Sequence, residues 1–279
     1  MIIKNSLSIN EKYKTALITG ASSGIGAAIT RKLAAEGLTV VLVARRLERL
    51  NQLANEIKRA GGSCIVIDAD LSSATERTKI YNQVQTTFGS LGVLINNAGL
   101  GWYGFYADMP WEVASQLMEV NMTAVAHLTG LFLHQMREQN KGHIINIGSV
   151  AGSFPNQGVA LYSASKSFLD AFNTVLHREL RGTNVYCSVV RAGPVSTEFF
   201  DQAANRQSGL RVPAEKFAVP PELIAKKVCQ LLLRPRKVIY TPSLLAIAPW
   251  IEILFGRIID RLGPLLLKHA TNHATSKPD

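Results

Sequence analysis

Six apolar runs of strand length alternate with stretches patterned as helices, and this alternation constrains the fold more than any other feature of the chain. The runs are TALIT (15–19), TVVLVA (39–44), CIVID (64–68), GVLIN (92–96), HIINI (143–147) and VYCSVV (185–190). They are rich in β-branched residues, are bounded by glycine or polar residues, and lack the polar alternation of a half-exposed strand. Strands buried on both faces of a parallel sheet have this pattern. Helical patterns occupy 25–36, 46–60, 74–88, 111–138 and 161–181. The repeated order of strand, helix and strand predicts a single α/β domain, a doubly wound Rossmann-type parallel sheet with helices on both faces. Residues 13–242 would form it, with VIYT (238–241) as a further strand and residues 1–12 as a flexible tail.

Composition narrows the class. With 279 residues, 47% of them hydrophobic and 18% charged, the chain is neither disordered nor collagen-like. No apolar run reaches the roughly 18 residues of a membrane-spanning helix. The opening MIIKNSLSINEKYK has no apolar core of the secretory type, so no signal peptide is expected. Cys64, Cys187 and Cys229 are odd in number and far apart, which suggests neither a disulfide framework nor a metal site and fits a cytoplasmic compartment. The net charge of +10 raises nucleic acid or an acidic membrane surface as partners. Its distribution is uneven, because the last 79 residues hold 12 basic and 6 acidic side chains. No nucleic-acid recognition motif accompanies the charge, so no nucleic-acid partner is expected.

The first strand runs into Gly20-Ala21-Ser22-Ser23-Gly24-Ile25-Gly26, which opens a helix. Glycines here permit a tight turn, let backbone N–H groups approach a pyrophosphate, and let the helix pack closely on the sheet. The spacing is G-x-x-x-G-x-G, and with ASSGIG filling it the turn resembles that of the short-chain dehydrogenase/reductase family. Further motifs follow in that family's order: Asn96-Asn97-Ala98-Gly99 after the fourth strand, Asn121 in EVNMTA, Ser149 after the fifth strand, Tyr162-x-x-x-Lys166, and Gly193-Pro194-Val195-Ser196-Thr197 after the sixth. The resemblance runs from about Lys14 to Thr197. One departure is Ala192, where the family usually has proline before Gly193.

Tyr162 and Lys166 are four residues apart in a helical stretch and therefore share a face. A free phenol titrates near 10, and an adjacent ammonium favours the phenolate, bringing Tyr162 toward the range of a general acid/base. The resemblance implies that Lys166 also hydrogen-bonds a nicotinamide ribose. It implies that Ser149 holds the substrate oxygen and that Asn121 positions a water in a proton relay. It assigns cofactor contacts to Gly20, Ser22, Ser23, Gly24, Ile25 and Gly26, to Asp70 and Leu71, to Asn97, Ala98 and Gly99, and to Gly193, Val195 and Thr197. At the end of the second strand Ala44 stands where an NAD-selective acid would be, and Arg45 and Arg46 follow. A guanidinium can bind a 2′-phosphate bidentately, so NADP(H) is expected over NAD(H).

Substrate-side segments are 99–111, 150–160 and the stretch from Glu198 onward, which hold Trp102, Tyr103, Phe105, Tyr106, Phe154, Phe199 and Phe200. Ser149, Trp102, Phe154 and Phe199 are the expected substrate contacts. An aromatic lining suits a hydrophobic ketone, aldehyde or alcohol. Arg191, Arg206 and Arg211 are the available cations should the substrate be acidic. Residues 198–219 are expected to form a lid. The C-terminal extension 243–279 contains an amphipathic stretch, 244–268, compatible with a membrane interface, a pocket cover or a subunit contact. The resemblance implies a homodimer or homotetramer paired through helices 111–138 and 161–181. The expected activity is NADP(H)-dependent oxidoreduction; the alternative is a catalytically silent dinucleotide-sensing protein of the same fold. Arg45→Asp should move cofactor selectivity toward NAD by about tenfold or more, read as the ratio of the two dissociation constants, and an unchanged ratio would remove the argument.

Overall fold

A computed structural model describes residues 8–210 and 217–274, with side chains described as far as Arg261. Seven strands form one sheet: β1 (Thr15–Thr19), β2 (Thr39–Ala44), β3 (Cys64–Asp68), β4 (Val93–Asn96), β5 (Gly142–Ser149), β6 (Val185–Ala192) and β7 (Val238–Thr241). Their order is β3-β2-β1-β4-β5-β6-β7, and every neighbouring pair is parallel. The order reverses between β1 and β4, which makes the crevice above their carboxyl ends the natural ligand site.

Alternation along each strand sends residues to two cores. Ala16 and Ile18 of β1 pack with Val40 and Leu42 of β2 on one face. That face is covered by α2 (Gly24–Ala35), α3 (Leu47–Arg59) and α9 (Pro221–Leu233). Leu17, Val41 and Val43 point the other way, toward α4 (Ala74–Phe88), α6 (Ala124–Glu138) and α7 (Ala160–Glu179). This arrangement explains why the strands read as unbroken apolar runs.

Two details depart from the expectations. Residues 8–12 are not a loose tail: Ser8 caps α1 (Ile9–Lys12) in a reciprocal capping box with Glu11, and Ile9 and Tyr13 are buried. Lys12 donates to the carbonyl of Leu232, tying this turn to α9. Residues 1–7 lie outside the described residues. The helix expected over 111–138 is α5 (Trp111–Met118) joined to α6 through a π-helical turn, Glu119–Thr123. Arg77 of α4 is buried against that turn, 2.7 Å from Glu119 and 3.0 Å from Nδ1 of His127. The segment expected to form a lid contains α8 (Phe199–Ala204), and a bridge joins Val195 to Val219; Arg211 lies outside the described residues.

Thr19 fastens β1 to β4 at the crevice. Its hydroxyl accepts from the backbone N–H groups of Asn97 and Ala98, each at 3.0 Å, and donates to the carbonyl of Ile95 at 3.2 Å. Thr19→Val keeps the shape and removes these bonds. The expected loss is about 1–3 kcal/mol for the Ala98 N–H left unsatisfied, the Asn97 N–H keeping the Ile95 carbonyl at 3.1 Å, and is measurable by urea denaturation.

Candidate active site

The turn after β1 holds Gly20 at φ +66° and Gly24 at φ +52°, left-handed conformations that disfavour side chains. A Cβ on Gly24 would also lie 2.8 Å from the Thr197 methyl, and one on Gly26 would lie 2.2 Å from the carbonyl oxygen of Gly20. The backbone therefore comes close to the crevice at Gly20 and Gly24, while Gly26 serves the packing of α2 behind the turn. Asn97 completes this wall, donating from Nδ2 to the carbonyls of Thr19 and Gly20 at 2.8 and 3.3 Å.

One cavity of about 1740 Å³ opens above the strand ends. Its walls include Gly20, Ser22, Ser23, Gly24, Ile25, Arg45, Arg46, Asp70, Leu71, Asn97, Ala98, Gly99, Ser149, Tyr162, Lys166, Gly193, Val195 and Thr197. The elongated groove and its glycine cradle at a helix N-terminus fit a dinucleotide. Gly26 and Asn121 are not among the lining residues; a role for Asn121 through a positioned water needs no place on the wall.

At the rim, Arg46 reaches back over the turn. Its guanidinium donates to the hydroxyls of Ser22 (3.0 and 3.1 Å) and Ser23 (2.5 Å), and it pairs with Glu198 at 2.8 Å. Arg49 pairs with the other oxygen of Glu198. These bonds hold the Glu198 carboxyl below its usual range, Arg46 contributing most. Glu198 appeared in the sequence only as the start of the lid, because nothing local marks a carboxylate whose partners lie about 150 positions away. Arg45 is exposed beside Asp70 and Arg206. Burial raises the Asp70 carboxyl, but hydrogen bonds from Ser72 and the charge of Arg45 outweigh it and leave it lowered. Burial, followed by the charge of Arg45, pushes Arg206 down.

On the opposite wall, Ser149 at the end of β5 and Tyr162 and Lys166 on the first turns of α7 come together. The Ser149 hydroxyl hydrogen-bonds the phenol and accepts from the N–H of Ala151. The Lys166 ammonium lies 5.6 Å from the Tyr162 ring centroid and donates to the carbonyl of Ile147 at 3.1 Å. Burial dominates both titrations. It pushes the Tyr162 phenol up to about 12 against the lowering bond from Ser149, and the Lys166 ammonium down to about 8 against the charge of Asp170. The expected lowering of the phenol by the ammonium is thus not found: burial raises it and only the Ser149 hydrogen bond acts against the rise.

Asp170, one helical turn along from Lys166, pairs with the partly buried Arg191 at 2.9 Å. Arg191 also bonds the Tyr240 hydroxyl, so it is committed beneath the site and is not a clamp for an acidic substrate. Asn121 sits in the π-helical turn, and both its amide protons are used: on the Leu100 carbonyl at 2.9 Å and the Ser165 hydroxyl at 3.1 Å. Its oxygen accepts from the N–H of Leu100 at 2.8 Å. The side chain joins the loop after β4 to α7 and so positions the wall that carries Lys166. A π-turn displaces its residues relative to a regular helix, and such turns recur at functional sites.

Absence of proline at Ala192 is compensated by backbone bonds. Gly193 donates to the carbonyl of Thr241 at 2.8 Å, Ser196 to that of Val219 at 2.9 Å, and Val219 to that of Pro194 at 3.0 Å. Phe154 and Phe199 line the cavity with Tyr103 and Phe200, and Phe199 meets the Tyr162 ring at 5.7 Å. Trp102 does not line it: the ring is buried and its Nε1–H donates to the carbonyl of Gln207 at 3.0 Å, within the segment expected to form a lid. Phe105 and Tyr106 point to solvent.

The comparisons agree with this geometry. The short chain dehydrogenase family model matches residues 14–208. Ketoacyl reductase HetN of Nostoc sp. is 41% identical over 186 residues, which is 66% of this chain and 64% of HetN, so less than two thirds of that relative is spanned. A crystal structure of a metagenomic short-chain oxidoreductase in complex with NADP is 34% identical, with a TM-score of 0.70 over 85% of this chain and 98% of that one. A short-chain dehydrogenase/reductase from Burkholderia phymatum in complex with NAD is 25% identical, with a TM-score of 0.80 over 88% and 95%. The matched residues span the cradle, the Ser149–Tyr162–Lys166 cluster and the strands that carry them: the chain belongs to the short-chain dehydrogenase/reductase family of oxidoreductases.

Proposed function

We propose that the protein is an NADP(H)-dependent reductase of hydrophobic ketones or aldehydes, able to run in reverse on the alcohols. The observation that carries the reading is the meeting of Ser149, Tyr162 and Lys166 on the wall of an aromatic-lined cavity whose other end is a guanidinium-rich rim. Gly20, Gly24 and the N-terminus of α2 would cradle the pyrophosphate, and Asp70 and Leu71 would flank the adenine. Arg45 and Arg46, with the Ser22 and Ser23 hydroxyls, would hold the 2′-phosphate. Arg206 adds a third guanidinium at this rim. Like charges gathered so closely favour a polyanion.

A bound nicotinamide would supply or accept the hydride. The protein's part is to hold the oxygen and move one proton. Ser149 donates a hydrogen bond to the carbonyl oxygen, stabilising the charge that develops there. The Tyr162 phenol, protonated across the neutral range, gives its proton to that oxygen. The Lys166 ammonium then faces the phenolate and stabilises it, while Phe154, Phe199, Phe200 and Tyr103 exclude water and receive the apolar part of the substrate. HetN is named a ketoacyl reductase, and a ketoacyl chain fits the same lining.

Tyr162→Phe removes the proton donor and should lower kcat by about 100-fold or more on any carbonyl that turns over, with little change in NADPH affinity. Tight NADPH binding without turnover on a panel of hydrophobic ketones and aldehydes would instead favour the sensing reading. The pH profile adds a second check. Lys166 loses its charge as pH rises through about 8, and with it the stabilisation of the phenolate. The kcat/KM for reduction should therefore be level below that point and fall above it; a profile level to pH ~10, the ordinary range for lysine and tyrosine, would contradict this role for Lys166.

A further inference from the structure

Half of the exposed large apolar side chains among the described residues lie between Leu244 and Ile258. This stretch is the turn Ser243–Ile247 and the first turns of α10 (Ala248–Ala274), a helix whose principal packing partner is the turn it grows from. Trp250 is 65% exposed, Ile253 72% and Leu254 70%, and Ile258 is more than half exposed. At 100° per residue these four side chains share one stripe, and Arg257 and Arg261, both exposed, fall within it. Glu252 is half-buried on the opposite side, and Asp260 stands at the edge of the stripe. No residue from 244 to 261 lines the cavity, so this part of the extension is not a pocket cover. Residues 262–268 lie outside the described side chains.

We propose that α10 docks the protein on an anionic lipid surface. The helix lies in the headgroup plane, with Trp250, Ile253, Leu254 and Ile258 at the acyl boundary and Arg257 and Arg261 against lipid phosphates. Arginines inside an apolar stripe choose between occupants. A second copy packed on the same stripe has to desolvate two guanidiniums from each protomer, with Asp260 as the nearby carboxylate. Anionic headgroups neutralise the guanidiniums where they stand, and their stems remain in the apolar layer. No helix among the described residues is long and apolar enough to cross a membrane, which leaves the interfacial geometry. The base of the helix is rooted at the cavity wall: Leu245 lies on Gly193, where a Cβ would come within 2.5 Å of its Cδ1. Docking therefore brings the lipid surface beside the cavity, whatever reaction occurs there.

The test uses the full chain and sedimentation with vesicles, either of phosphatidylcholine alone or of a two-to-one mixture with phosphatidylglycerol. Binding is expected to the mixture, weak on phosphatidylcholine and reduced at high salt, with a blue shift of tryptophan emission that Trp250→Phe abolishes. The double variant Arg257→Glu with Arg261→Glu should weaken partition by about 25-fold or more, from roughly 1 kcal/mol per basic residue near an anionic surface. Leu254→Glu should weaken it as well. All positions are exposed, and an unchanged thermal midpoint confirms the fold of each variant. No sedimentation with the anionic vesicles, or sedimentation that the variants leave intact, overturns the proposal. A dimer in analytical ultracentrifugation that Leu254→Glu converts to monomer, without vesicle binding by the wild type, assigns the stripe to a second copy and also overturns it.

Discussion

The crevice depends on how β1 and β4 end together. They are neighbours in the sheet but their crossovers leave in opposite directions, so nothing covers the gap between their carboxyl ends. Thr19 and Asn97 span it with hydrogen bonds that satisfy one strand's end with the other's. The glycine cradle can then come close to the crevice, because Gly20 rests on Ala98 with no room for a Cβ: one placed there would lie 2.9 Å from the Ala98 Cα. A polar ladder continues this stitching through the core. Asn96 donates to Asn146 at 2.9 Å and to Thr129 at 3.1 Å, and Asn173 is bonded by the Cys187 thiol and itself donates to the carbonyl of Lys237. Buried amides paired in this way specify one register of strands and helices, since a slip would leave them unsatisfied.

Above that frame, Tyr162 and Lys166 are governed by desolvation more than by one another. Lys166 is buried with one carbonyl partner and Asp170 one helical turn below, while Asp170 is shared with Arg191. The wall therefore carries a chain of alternating charges, Lys166, Asp170 and Arg191, and each is tempered by the next. Asn121 holds the loop after β4 to the same helix from the side. Polar groups at the reacting end face an apolar cavity, and guanidiniums face the other end. The division suits a ligand with an anionic tail and a neutral head.

The rest of the positive charge falls into distinct places. Arg46 and Arg49 are paired with Glu198, which ties the rim of the cradle to the start of the lid. Arg257 and Arg261 stand on a helix outside the catalytic domain's two cores. A net charge that first raises nucleic acid thus includes local features of different kinds, an ion-paired rim and an exposed helix.

Much of this was legible in the sequence, for physical reasons. Strands buried on both faces cannot hide their apolar content, so six runs marked the sheet. A tight turn in left-handed conformations needs glycine, so the cradle at Gly20 and Gly24 was visible; Ser149, Tyr162 and Lys166 were marked by spacing and resemblance. Local patterns could not reveal partners distant along the chain. Only the tertiary structure paired Arg46 with Glu198 and Arg191 with Asp170, turned Trp102 from the cavity to the carbonyl of Gln207, and folded residues 8–12 onto α9. It also reversed the balance at Tyr162, because burial is a property of everything packed around a group and not of the group's neighbours in sequence. The sequence by itself determined which chemistry stands at the strand ends; the packed structure decided the charge each group holds there.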